Sequence, residues 1–175
     1  AVAPAVLTIS ETDPYNYGTV AVGAVASRSF VVTNTGTFQA SAMVESGIGA
    51  PYQYAGGAYP GTGGDCAGTL AGGNTTCTIV VEYAPAGVSG GDNDTISFAY
   101  NDGNTGQVVA RDVTGVAVTP SNITSTEADP YDYGTVAVGA TVNYVFTLNN
   151  AGSFTASAIS EIGLAAPFAF SGGSF

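Results

Sequence analysis

The chain lacks histidine, lysine and tryptophan, and its only basic residues are Arg28 and Arg111. General bases and activated nucleophiles most often depend on histidine or lysine, so these absences argue against ordinary enzymatic catalysis. Asp92 and Asp94 remain as a carboxylate pair, but a glycosidase needs two carboxyl groups held apart across a cleft. Nothing in the sequence suggests such a cleft. The sequence therefore predicts a protein that is not an enzyme.

Positive charge is scarce, with two basic residues against 13 acidic ones and a formal net charge of −11. Nucleic-acid binding requires lysine and arginine to displace counterions from phosphates, and an anionic bilayer repels an acidic protein. No apolar run approaches the length of a membrane span. We expect no nucleic-acid partner and no direct membrane insertion in this segment, whereas divalent cations and neutral sugars stay compatible with it.

Cysteine is limited to Cys66 and Cys77. Two thiols without a histidine cannot complete a tetrahedral zinc site, and their spacing is not that of a C-x-x-C redox pair. We interpret them as a disulfide that closes a hairpin-like loop, which implies an oxidising compartment. Two reduced, buried thiols are the alternative.

The chain repeats itself at an offset of 116 residues, where residues 7–59 align with 123–175 without a gap and 26 of 53 pairs are identical. DPYNYGTVAVGA from Asp13 returns as DPYDYGTVAVGA from Asp129. A fixed period of this length indicates tandem domains. We predict a complete unit at 1–118, a short linker at 119–122 and an incomplete second unit at 123–175. Either the chain was cut from a longer array, or a partner supplies the half that corresponds to residues 60–118.

Alternating apolar and polar residues predict strands almost throughout the repeat, as in the run from Ile79 to Tyr83. Glycine- and asparagine-rich turns separate these runs, and no long helical pattern appears. The predicted strands lie near residues 5–10, 18–23, 26–34, 40–47, 76–84, 95–100 and 107–118. The sequence thus predicts an all-β protein built as a tandem immunoglobulin-like antiparallel β-sandwich.

Four stretches carry a family resemblance: YGTVAVG (17–23), FVVTNTG (30–36), CAGTLAGGNTTCTIVVEYAP (66–85) and VTGVAV (113–118). In this order they resemble the choice-of-anchor D repeats of bacterial secreted and surface proteins, relatives of the immunoglobulin-like ASH sandwiches. The resemblance implies a tandem sandwich array on an exported protein, secreted or held at the bacterial cell surface. It implies no catalytic residues and no cofactors, and it maps the family's cysteine pair to Cys66 and Cys77.

Acidic loops raise the possibility of calcium, which prefers oxygen ligands in flexible loops. One set lies just after each unit boundary, where an ion could stiffen a junction, and another lies beside a strand. The hypothesis involves Glu11 and Asp13, their copies Glu127, Asp129 and Asp132, and the separate pair Asp92 and Asp94. Solvated acidic turns are the alternative interpretation. Asn101, Asp102 and Asn104 lie at the far end of a strand from Asp92, so the two clusters cannot form one site.

Tyr15 and Tyr17 recur as Tyr131 and Tyr133. Tyrosines in such a pattern could stack on sugars or form an interface. Later tyrosines of the first copy become phenylalanines in the second, which favours packing over hydrogen-bonded recognition. We predict that these aromatics belong to the core or to subunit contacts.

The sequence as a whole favours a structural role, as a repeat or subunit of a bacterial extracellular fibre, stalk or surface array. Strand exchange with a neighbouring subunit could complete the second unit. The expected partners are identical subunits or adjacent repeats. The alternative is an adhesin module that binds glycans or another cell surface. Within the overlap the loops agree better than the strands, which favours the scaffold.

Overall fold

The computed structural model describes residues 2–173 and 175, which form two compact units, Ala1–Val118 and Thr119–Phe175. Almost all regular structure is strand, as the alternating pattern predicts, and the first unit also has a single 3-10 turn at Ala55–Gly57. The strands of the first unit are β1 (Leu7–Ile9), β2 (Tyr15–Ala21), β3 (Ala26–Asn34), β4 (Ser41–Glu45), β5 (Tyr52–Tyr54), β6 (Thr75–Tyr83), β7 (Ser89–Asn101) and β8 (Gly106–Val118). The second unit contains β9 (Ile123–Ser125) and β10 (Leu148–Asn150).

The first unit is a sandwich of two four-stranded sheets, with strand orders β1-β3-β6-β5 and β2-β8-β7-β4. The predicted all-β, immunoglobulin-like fold is therefore confirmed. All strand pairs of this unit are antiparallel except β2 and β8, which run parallel. This parallel pair brings Tyr15 opposite Val113 and places the start of the repeat beside the end of the unit.

Two strands differ from the sequence-based expectation. The prediction missed β5, because its three residues are too few for a clear alternation between Pro51 and the glycines at 56 and 57. Strand β7 begins at Ser89 rather than near residue 95, since the two glycines that suggested a turn instead form a register shift between Ser89 and Asp92. A bulge of this kind lets a strand continue through glycines.

The core lies between the two sheets and follows the period-two alternation. From the first sheet, Phe30, Val32, Ile79 and Val81 point inward and are completely buried. The facing sheet supplies the buried side chains Ile96, Phe98, Tyr100 and Val113. Full burial of such a side chain contributes roughly 1.5–3 kcal/mol, so this layer is the main source of stability.

Gly115 of β8 makes room for an aromatic ring. A Cβ at this position would lie 2.7 Å from the ring of Tyr83, whose side chain is completely buried. The ring therefore lies directly on the backbone of the opposite sheet. This contact gives a physical reason for glycine within the VTGVAV stretch.

A buried asparagine joins four separate points of the first unit. The Oδ1 atom of Asn34 accepts hydrogen bonds from the backbone N–H groups of Val6 and Gly36, both at 3.1 Å. Its Nδ2 atom donates to the carbonyl oxygens of Phe38 at 2.9 Å and Leu70 at 3.0 Å. The residue is fully buried, yet its amide has partners for both donors and for both acceptor positions.

Gly36 is required by the same arrangement, because a Cβ there would lie 2.0 Å from the carbonyl oxygen of Pro4. The residues before β1 thus run directly against the turn that follows β3. Thr37 reinforces this contact, since its Oγ1 atom accepts a hydrogen bond from the backbone N–H of Ala3 at 2.7 Å.

The second unit repeats this geometry at the same offset. Strand β9 pairs with β10 so that Ile123 lies opposite Asn150, as Leu7 lies opposite Asn34 in the first unit. Asn150 accepts from the backbone N–H of Asn122 at 2.9 Å and donates to Phe154 O at 2.8 Å. The β9–β10 pair thus repeats the register of the β1–β3 pair, as the sequence of the second unit repeats that of the first.

The segment at 119–122, predicted to be a linker, takes part in this second unit. The backbone N–H of Phe154 donates to Thr119 O at 2.9 Å, and a Cβ on Gly152 would lie 1.8 Å from Pro120 O. Residues 119–122 therefore occupy the place that residues 3–6 occupy in the first unit.

The two cysteines form a disulfide with a Cα–Cα distance of 4.8 Å. Cys77 belongs to β6, and Cys66 ends a loop that runs along the free edge of that strand. In this loop the backbone N–H of Asp65 donates to Thr78 O, and that of Val80 donates to Pro60 O. The predicted disulfide is therefore present, and it fastens this loop to β6, an inner strand of the first sheet.

Replacing both cysteines with serine should lower the free energy of unfolding of the first unit by about 2–3 kcal/mol, because the closed loop is short. Urea unfolding of the double variant and the parent protein measures this difference. An equal midpoint would contradict the assigned role of the disulfide, and the parent should show no alkylatable thiol before reduction.

Replacing Asn34 with alanine should destabilise the first unit strongly, because four buried backbone groups lose their partner at about 1–3 kcal/mol each when no water replaces it. We expect a total loss of about 3 kcal/mol or more in urea unfolding. Asn150→Ala is the matched control, since the equivalent side chain in the second unit is exposed. Equal effects of the two substitutions on the first unit would contradict this account.

Candidate functional site

The acidic turn that begins the repeat is held by both basic residues of the chain. The Arg28 guanidinium donates to Glu11 Oε1 at 2.5 Å and lies 5.3 Å from the centre of the Tyr15 ring. Arg111 lies 3.5 Å from Asp13 Oδ2 and donates to the backbone oxygen of Ile9 at 2.7 Å. Glu11 and Asp13, two of the proposed calcium ligands, are thus paired with arginines.

The copies of these acids lie in a different environment. Tyr144 takes the position of Arg28 in the second unit, where it packs 4.1 Å from Tyr131 between ring centres. Glu127 instead accepts hydrogen bonds from Ser125 and from the backbone N–H of Thr147, and these bonds lower the pKa of its carboxyl group. Asp132 accepts from the backbone N–H of Gly134 at 2.7 Å. Nothing in the structure brings Asp129 to this group of acids.

The remaining acids of the calcium hypothesis are engaged in turns and in the core rim. Asp92 Oδ2 accepts from the hydroxyls of Tyr83 and Ser89, each at 2.6 Å. Asp94 Oδ2 accepts from the backbone N–H of Gly49 at 2.7 Å. Within residues 2–173 and 175, no three metal-binding side chains converge. Calcium binding by these acids stays a prediction from the sequence.

Asp102 organises the turn between β7 and β8. Its Oδ1 atom accepts from the backbone N–H groups of Asn104 at 2.8 Å and Thr105 at 2.7 Å. These two bonds hold the pKa of the Asp102 carboxyl group below its ordinary value, and the bond from Thr105 has the larger effect. Its carbonyl oxygen also accepts from the backbone N–H of Ala5 at 2.9 Å, so this turn fixes the segment that precedes β1.

The repeated tyrosines pack against other aromatic rings of their own unit. Tyr15 contacts Tyr17 and Phe30 edge to face, with ring centres 5.0 and 5.3 Å apart. The Tyr17 hydroxyl donates to the carbonyl oxygen of Val81 at 2.9 Å. Tyr131 and Tyr133 reproduce the first of these contacts at 5.0 Å. Only the first-unit pair packs against a buried core.

Apolar side chains of the second unit are exposed where their counterparts are buried. Phe146 is 46% exposed and Leu148 52%, whereas Phe30 and Val32, their counterparts at the offset of 116, are at 0%. We call this surface the open face. It comprises six apolar residues whose first-unit counterparts are buried: Ile123, Val136, Phe146, Leu148, Ile159 and Phe168.

A depression of about 430 Å³ lies within the open face, between β9, β10 and the segment that follows them. It is lined by Ile123, Leu148, Asn150, Ser153, Phe154, Thr155, Ala156 and Ile159. In the first unit two of the matching residues, Asn34 and Ala40, bond to the backbone of Leu70, which exchanges two hydrogen bonds with Ala40 at 2.9 and 3.0 Å. We call this depression the leucine socket.

A second depression, of about 320 Å³, lies on the first unit beside the acidic turn. Its wall is polar and formed by Pro14, Asn93, Asp94, Thr95, Asp112 and Thr114. Its shallow form offers no enclosed place for a substrate.

None of the described residues belongs to a helix long and apolar enough to cross a bilayer.

No protein-family model matches the chain, and a search of curated proteins finds no match. Solved structures with a similar fold include the ASH/PapD-like domain 7 of human CEP192, with 14% identity, 65% of this chain and 86% of that chain covered, and a TM-score of 0.46. The CARDB domain of PF1109 from Pyrococcus furiosus, in a solution structure, is 18% identical. The match covers 63% of this chain and 94% of that chain, with a TM-score of 0.36. A crystal structure of that domain in complex with di-metal ions is 16% identical. The match covers 67% of this chain and 98% of that chain, with a TM-score of 0.37.

At such low identity, the likeness concerns the fold alone.

The role of Asn34 as a fourfold hydrogen-bonding centre was not predicted from the sequence. A signal was present in the repeat, because Pro4, Asn34 and Gly36 recur as Pro120, Asn150 and Gly152. The open face was also implied by the repeat, but its leucine socket was not. Its likeness to the surroundings of Leu70 follows only from the pairing of that residue with Ala40 in the first unit.

The buried tyrosines should make the first unit unstable in alkali. Burial raises the pKa values of Tyr17, Tyr52 and Tyr54 above the ordinary 10.0. The unfolded chain releases these protons near pH 10 while the folded chain retains them, so this stability is present below about pH 10 and is lost as the pH rises further.

Tyrosinate absorbance and urea midpoints between pH 8 and 12 test this expectation, and some tyrosines should ionise only on unfolding. Tyr17→Phe should reduce the fall of the midpoint with pH. Ionisation of all tyrosines near pH 10 in a chain that stays folded would contradict the prediction.

Proposed function

We propose that the protein is a structural repeat segment of a bacterial extracellular fibre, stalk or surface array, of the choice-of-anchor D type. The observation that carries this proposal is the second unit's repetition of the first unit's strand register and of the bonds around Asn34. A module repeated in this way supports an array in which each unit performs the same mechanical task.

The composition of the first unit supports the same role. Its ion pairs and its disulfide hold loops against the sandwich, and the hydroxyl of Tyr17 joins β2 to β6. The polar depression beside Asp94 is shallow and has no buried nucleophile or base. These features suit a non-catalytic module, because catalysis needs reactive groups converging on a site that binds a substrate.

An exported location belongs to the same proposal. A disulfide between Cys66 and Cys77 is stable outside the reducing cytosol, so it supports a secreted or cell-surface protein. The net charge of −11 and the lack of lysine support solubility without attraction to nucleic acid or to anionic lipid.

The proposed partners are adjacent repeats or further subunits of the same kind. The open face supports this choice, since exposed apolar surface with unpaired strand edges favours association with other strands. Strand exchange with a neighbouring subunit is the mode of association that we propose for the array.

Electron microscopy and sedimentation of the native assembly, beside glycan-array screening of the purified chain, test this function. We expect rods or ordered filaments and no specific glycan binding. Specific binding of a glycan by monomers, with no ordered assembly at any concentration, would replace the structural role with that of an adhesin.

A further inference from the structure

We infer that the open face of the second unit binds a three-stranded segment patterned like residues 60–118 of this chain, supplied by an adjacent repeat. A leucine of that segment enters the leucine socket, and its first strand pairs with the free edge of β10. This inference deepens the proposed function and rests on it for the source of the segment. The fit itself follows from contacts that the first unit displays.

The leucine socket identifies one point of contact. In the first unit, Leu70 is 7% exposed and bonds to Ala40 through both its N–H and its carbonyl group. Asn34 donates to the same carbonyl at 3.0 Å. Ala156 and Asn150 occupy the matching positions in the second unit and line the socket. An extended segment with leucine at this position would satisfy the same donors and acceptors.

The edge of β10 identifies the second point of contact. In the first unit, β3 lies between β1 and β6, and it pairs with β6 from Ala26 to Asn34. Among the residues that the structure describes, β10 pairs only with β9. A strand patterned like β6 would place its alternate apolar residues over Phe146 and Leu148, as Ile79 and Cys77 lie opposite Phe30 and Val32.

The second sheet shows why one donated strand is not enough. In the first unit, β2 and β4 are its outer strands, separated by β8 and β7. Their counterparts at 131–137 and 157–161 form no strand in the structure. They cannot pair with each other across the width of two missing strands. The occupant must therefore bring equivalents of β7 and β8 together with that of β6.

Residues 60–118 of the first unit are already committed, because they supply β6, β7 and β8 of that sandwich. A copy that lends these residues to another second unit opens its own first unit by the same amount.

The segment at residues 3–6 is likewise committed elsewhere. Ala3 bonds to Thr37, and Val6 bonds to Asn34 and Thr35, all within the first unit. Residues 119–122 make the equivalent bonds in the second unit. Such arms complete the outer edge of a unit that still needs its central strands.

The test is an extended chain in which a copy of residues 60–118 follows Phe175, compared with the parent chain by amide hydrogen exchange. The amides of Leu148, Asn149 and Asn150 should exchange on the order of 100-fold more slowly in the extended chain. Binding of a hydrophobic dye should fall at the same time, because the open face becomes buried.

Two variants keep the test specific. Leu70→Asp in the appended copy alone should abolish most of the gained protection, whereas Val108→Asp in that copy should not, because Val108 is 69% exposed in the first unit. Asn150→Ala should have little effect in the parent chain but should destabilise the second unit of the extended chain, as Asn34→Ala does in the first.

Unchanged exchange at β10 in the extended chain would overturn the inference, as would equal protection in the chain with Leu70→Asp in the appended copy. Neither result would bear on whether the native protein forms rods, which microscopy decides separately. Conversely, protection of β10 in the extended chain, with no filaments of the native protein, would support binding of the segment to the open face. It would contradict the proposed array.

Discussion

The buried amide of Asn34 is the interaction on which the arrangement of the first unit depends. It fixes the segment before β1, the turn after β3 and the loop around Leu70 with four hydrogen bonds. Three of these contacts lie within the first half of the unit and one comes from the second half. The side chain is therefore the point at which the two halves of the sandwich are joined by polar bonds as well as by apolar packing.

The second unit shows what the first half does without its complement. The bonds of Asn150 to Asn122, Gly152 and Phe154 survive, and so does the short pairing of β9 with β10. The aromatic contacts around Tyr131 also persist. The second unit does not bury the apolar side chains of its open face, because a sandwich buries its inner faces only when both sheets have their central strands. The first half thus carries its own local order but not its own core.

Much of the fold could be predicted from the sequence, and the reasons are specific. The alternation from Ile79 to Tyr83 fixed which residues of β6 face the core, and the repeat placed the unit boundaries near Val118. The short strand β5, the bulge at Ser89 and the parallel pairing of β2 with β8 were not predictable, because each depends on contacts between distant segments.

The acidic turns are the clearest example of what residue type alone cannot decide. By residue type alone, Glu11 and Asp13 suit a metal ion as well as a salt bridge. In the structure they form ion pairs with Arg28 and Arg111. The leucine socket was not predicted either, since its proposed occupant is recognised only from Leu70, which bonds to the distant Ala40 in the first unit. In both cases the deciding neighbours lie tens of residues away in sequence.

The positions of the two arginines also affect how readily trypsin-like proteases cleave the backbone. Trypsin-like enzymes cleave after lysine or arginine, and this chain offers them only Arg28 in β3 and Arg111 in β8. Arg28 is paired with Val81 of β6, and Arg111 is paired with Ile96 of β7, so each scissile bond lies within a hydrogen-bonded strand. Cleavage there requires the first unit to open, so its folding free energy also protects the backbone against cleavage at these two residues.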